Sequence, residues 1–62
     1  MLFAPLIAVL KDKSEYVRQY AAQSLGQLKD KRTAAALILV LKDEKHLVRQ
    51  AAKGALDKLS NL

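Results

Sequence analysis

The chain has 62 residues and a formal charge of +5, from 11 Lys and Arg against 6 Asp and Glu, with no cysteine and one histidine. Disulfides and thiolate-based zinc or iron–sulfur sites are therefore excluded, and six scattered carboxylates with one imidazole make a poor metal cage. A chain of this size buries only about 60% of the surface its unfolded form exposes, so association with a further chain is the remaining route to extra stability.

The composition is that of an all-α protein. Twelve leucines and ten alanines favour helix, whereas valine, isoleucine and threonine together number only seven. The first predicted helix runs from Leu2 to Leu10, with Pro5 in its first turn, where a missing amide does no harm. The second spans Glu15 to Leu28 with Ser14 as N-cap. Its positions Val17, Ala21, Leu25 and Leu28 mark one apolar face. A third helix is expected from Lys31 to Leu41, N-capped by Asp30. A fourth is expected from Lys45 to Leu59, with its face at Val48, Ala52, Leu56 and Leu59. Lysine at the cap position of the fourth helix predicts a frayed start. Linkers of three to five residues make successive helices antiparallel.

Sliding the chain against itself explains this pattern. An offset of 31 aligns residues 1–31 with 32–62 without a gap, and thirteen of the pairs are identical, among them Leu10/Leu41, Asp12/Asp43, Val17/Val48, Arg18/Arg49 and Leu28/Leu59. A period of this length marks a solenoid array, in which no unit buries its apolar face alone. The chain is read as a single domain, 1–62, of two repeats, 1–31 and 32–62.

The combination Pro5-Leu6-Ile7, Leu10-Lys11-Asp12, Val17-Arg18, Ala21-Ala22 and Ser24-Leu25-Gly26 resembles HEAT-like repeats of the short, 31-residue kind found in phycobilin-lyase-type proteins and artificial helicoidal repeats. The second copy departs at Ala36, Gly54 and Asp57. The resemblance implies a right-handed α-solenoid of two antiparallel helix pairs, four helices in all. It also places first helices on the convex side and second helices on the concave side.

Three groups of residues stand out on that frame. The convex side of the family usually carries charge, but here the matching positions are apolar. Met1–Leu10 and Ala34–Leu41 contain no polar residue, and a helix apolar on every side is buried on every side. Phe3, Ala4, Ile7, Ala8, Ala35, Ile38 and Leu39 therefore form a candidate self-association surface across the convex and N-terminal faces. The alternative is a few alanines and one stray leucine in water. The concave side is expected to carry Glu15, Tyr16, Gln19, Tyr20, Gln23 and Gln27, followed by His46, Leu47, Gln50, Ala51, Gly54 and Lys58. Its glutamine- and tyrosine-rich part, Tyr16, Gln19, Tyr20, Gln23, Gln27, Leu47 and Gln50, suits a protein or peptide ligand or ordinary helix surface. Finally, Asp12 with Arg18 and Asp43 with Arg49 repeat at one spacing. They are read as a structural ladder in which arginine bonds turn carbonyls and aspartates of its own or the adjacent repeat.

Catalysis finds no support: there is no nucleophile–base set, phosphate loop or paired carboxylate, and no cofactor is expected. His46 has no carboxylate beside it, unlike the His-Glu dipeptides of HEAT-repeat hydroxylases. The cations divide between two edges, Lys11, Lys13, Lys42, Lys45 and His46 on one and Lys29, Lys31 and Arg32 on the other. Nucleic acid calls for one continuous stripe. No apolar run reaches 18 residues and no signal-peptide pattern is present, so a cytoplasmic protein without membrane contact is expected. The sequence reads as a non-enzymatic scaffold or protein-interaction module forming a homodimer or higher homo-oligomer. Alternatives are a nucleic-acid or anionic-surface binder, and a self-assembling repeat building block, engineered or excised.

Overall fold

The computed structural model describes residues 8–61, and within them every regular element is helical. Ala8 and Val9 are helical, and three longer helices follow: α1 (Glu15–Leu28), α2 (Ala34–Val40) and α3 (His46–Ser60). Phe3, Ala4 and Ile7, with most of the expected first helix, lie outside the described residues.

Each helix start has a local cause. Ser14 sits in extended backbone and its hydroxyl accepts from the Val17 amide, which caps α1. Asp30 accepts from the Arg32 amide at 2.9 Å. The segment expected to be helical from Lys31 opens instead as a single 3₁₀ turn, Lys31–Thr33, before α2 begins at Ala34. Thr33 is fully buried there, and its hydroxyl donates to the Asp30 carbonyl at 2.8 Å, so no polar atom is stranded. Lys45 gives α3 no side-chain cap. The start of α3 is nonetheless held, because the Asp43 carboxylate accepts from the Lys45 amide at 2.9 Å and the Lys45 carbonyl accepts from Val48 and Arg49, both at 3.1 Å. Asp12 forms the same turn one repeat earlier, accepting from the Ser14 amide at 2.9 Å. These short aspartate-closed turns hold the linkers between paired helices.

Contacts at both ends fix the helix directions. Near their starts, Arg18 of α1 reaches Asp43, and Lys45 Nζ lies 3.7 Å from a Glu15 carboxylate oxygen. Further along, Gly26 of α1 presses on Ala55 of α3. The two helices therefore run side by side in the same direction. The beginning of α2, at Ala34, shares a groove with Leu56, Leu59 and Ser60 from the far end of α3. Consequently α2 and α3 are antiparallel.

The core is a layer of small and branched side chains between these helices: Leu10, Ala21, Ala22, Leu25, Leu37, Val40, Val48, Ala51, Ala52, Ala55 and Leu59. Alanine and glycine let α1 and α3 approach closely. The apolar face expected along α1 is buried only in part. Val17 is 38% exposed and Leu28 49%, whereas their counterparts Val48 and Leu59 are 0% and 3% exposed. The physical reason is position: α3 lies against both α1 and α2, whereas among the described helices α1 has one such neighbour, α3.

Candidate interaction surfaces

Three features of this frame could act on other molecules. The most polar is the bridge at the junction. Arg18 forms a two-pronged pair with Asp43, Nε to Oδ2 at 2.8 Å and Nη2 to Oδ1 at 3.1 Å. Its remaining nitrogen, Nη1, donates to the carbonyls of Asp12 at 2.8 Å and Lys13 at 3.1 Å. One guanidinium thus ties the turn of one repeat to the turn of the next. Arg49 makes the equivalent carbonyl bond, Nη1 to the Asp43 oxygen at 2.7 Å. The Arg18 hydrogen bonds hold the Asp43 carboxyl below its ordinary value of 3.8, against the opposing effect of burial, and the Lys45 amide adds to the lowering. The same pairing raises Arg18. Asp30 is also lowered, by hydrogen bonds from the side chain and then the amide of Arg32. With its donors already spent within the chain, Arg18 is poorly placed to receive a phosphate.

A second feature is the groove between α1 and α3, about 240 Å³, lined by Gln23, Gln27, Gln50, Ala51, Gly54, Ala55 and Lys58. Of the residues expected on the concave side, the structure gathers Gln23, Gln27, Gln50, Ala51, Gly54 and Lys58 here. Glu15, Tyr16, Gln19, Tyr20, His46 and Leu47 are not among its walls. Gly54 lies open to it, with no atom within 4 Å of where a Cβ would stand. Of these walls the sequence reading missed Ala55, an ordinary position on the apolar face of α3 until its edge is seen beside Gly54.

The third feature is apolar. All seven residues of α2, Ala34–Val40, are apolar, yet only Leu37 and Val40 are buried. Ile38 is 53% and Leu39 68% exposed, and Ala8 and Ala35 are exposed with them. Beside Leu39 runs a groove of about 300 Å³ whose walls are Leu10, Lys11, Ala36, Leu39, Val40 and Asp43. The sequence located the projecting residues but not the hollow, because Leu10, Ala36 and Val40 are ordinary core positions until their edges are seen side by side.

The cations Lys11, Lys13, Lys42, Lys45 and His46, and Lys29, Lys31 and Arg32, are all exposed. Among the described residues no group of three or more His, Cys, Asp or Glu is arranged to hold a metal ion. No helix there is long and apolar enough to cross a membrane.

Comparison with known families settles what the frame is: the model for HEAT repeats matches residues 3–61. The chain belongs to the HEAT-repeat family. No curated protein matches it. HEAT repeats are in general protein-interaction scaffolds, built from stacked helix pairs that offer extended surfaces to partners. The antiparallel helices α2 and α3 are a helix pair of the kind such repeats stack.

Proposed function

We propose that this HEAT-repeat chain is a non-enzymatic scaffold that self-associates through the apolar side of α2. The observation that carries the reading is Leu39, an exposed leucine on an all-apolar helix, at the edge of a groove whose apolar walls are Leu10, Ala36 and Val40, with Lys11 and Asp43 as its charged members. A projection next to a hollow of matching chemistry is self-complementary. Two copies related by a twofold axis can each place Leu39 in the groove of the other. Apolar burial supplies the driving force at about 25 cal/mol per Å², and cations along both edges keep the assembly soluble. The concave groove between α1 and α3 stays open in this arrangement for a protein or peptide ligand.

The test is particle mass. Wild-type chain in light scattering after gel filtration is expected at a multiple of 6.9 kDa. The Ala8→Lys/Leu39→Lys double variant is expected to fall to one chain per particle, because two added cations would have to be buried in the proposed interface. A double variant with the wild-type mass would remove α2 from the interface.

A further inference from the structure

The junction between the repeats shows what a stacked neighbour requires. Helices α1 and α3 meet at Gly26 against Ala55. On α1, Ala22 stands one turn before Gly26, and on α3, Val48, Ala51 and Leu59 stand at one- and two-turn spacings from Ala55, all of them buried. The approach is closest at Gly26. A Cβ built there would stand 2.7 Å from both Cα and Cβ of Ala55, a separation no side chain accepts. Backbone is one of the two obstacles, so a rotamer change cannot relieve the clash.

The repeat offset of 31 transfers this requirement to the next junction. The side of α3 that would receive a further helix pair carries Lys53 where repeat one has Ala22, and Asp57 where it has Gly26. Both are exposed. The opposite end differs. There α1 presents Val17, Tyr20, Ser24 and Leu28 at the places of Val48, Ala51, Ala55 and Leu59, uncharged throughout. The α1 positions are thus uncharged, and the α3 positions carry a lysine and an aspartate.

We infer that α3 closes the stack: Asp57 and Lys53, in the places of Gly26 and Ala22, bar the α1 of a second copy from packing on α3 as α3 packs on α1. A junction of the internal kind would drive the Asp57 carboxylate into the helix opposite and bury Lys53 without a partner. Copies of this chain therefore do not grow head to tail, and their association is finite. This deepens the self-association reading by removing the chain ends as the interface. It is tested by a gain of assembly that does not depend on the wild-type mass.

The probe is the full chain carrying Lys53→Ala and Asp57→Gly, which restores the repeat-one residues on α3. Both positions are exposed and aspartate is itself a weak helix former, so the fold is retained, as circular dichroism would verify. Light scattering over a dilution series is expected to show a mass that climbs with concentration to several times that of wild type. Adding Leu28→Lys, among the uncharged α1 positions, is expected to return it to the wild-type value. The triple variant Tyr20→Ala/Lys53→Ala/Asp57→Gly reproduces the internal junction more closely and is expected to grow further. If neither restored variant exceeds the wild-type mass, the inference is overturned. A wild-type chain that itself lengthens without limit overturns it equally.

Discussion

Lys29 terminates α1 in the left-handed region, at φ 55°, with its amide donating to the Gly26 carbonyl. A side chain there strains against the following carbonyl by about 1–2 kcal/mol. Lys29→Gly is expected to stabilise the fold by about 1 kcal/mol, since relief of strain outweighs the added freedom of the unfolded chain. In a chain this short that is a rise in Tm of roughly 4–8 °C in a thermal melt. A melt unchanged or lowered would contradict the strained cap. The Arg18–Asp43 bridge makes a second prediction at this scale. Asp43 is lowered in the folded state, so its contribution is present above the ordinary carboxyl value of 3.8 and is lost as pH falls through the lower folded value. Melts taken from neutral pH downward should therefore drop below 3.8. Asp43→Asn should lower Tm at neutral pH and flatten that acid drop. Asp12→Asn, which touches only the Ser14 amide bond, should do less of both. Equal effects of the two substitutions would show that the bridge adds nothing beyond the turn.

The relation of α1 to α3 governs events at the scale of the element. Gly26→Ala places a methyl into Ala55 and is expected to cost about 1–3 kcal/mol as the helices are pushed apart. Gly54→Ala meets nothing and should stabilise α3 by up to about 1 kcal/mol through helix propensity. Two glycines on neighbouring helices with opposite responses in the same melt are a direct check on the junction. Helix spans were largely legible in the sequence, because the 31-residue repeat is written in identical residues and each N-cap position can be named from it. What was not legible is which turns of an apolar face are covered. Val17 and Val48 are the same residue in the same motif, yet Val17 is exposed and Val48 buried, because α3 is packed against both α1 and α2. The turn-closing role of Asp12 and Asp43 was likewise hidden behind their pairing with arginine. The groove between α1 and α3 was largely legible: Gln23, Gln27, Gln50, Ala51, Gly54 and Lys58 share one side by helical spacing, and Ala55 was hidden among the core positions. The hollow beside Leu39 could not be read from spacing, since Leu10 stands in one sequence repeat and Ala36 and Val40 in the other.

At the scale of the molecule, α2 buries Leu37 and Val40 and leaves Ala35, Ile38 and Leu39 exposed, while α3 carries the exposed Lys53 and Asp57. Under the self-association proposed above, Leu39 and Ile38 are buried against a second copy and the charged side of α3 limits how many copies join. Folding and association would then be linked by mass action, and the Tm of the wild-type chain is expected to rise with protein concentration. The most direct measurement is the mass of the wild-type particle by light scattering across a dilution series. A single defined multiple of 6.9 kDa that stops growing as concentration rises is the expected result. A fully folded particle of one chain at every concentration would contradict it.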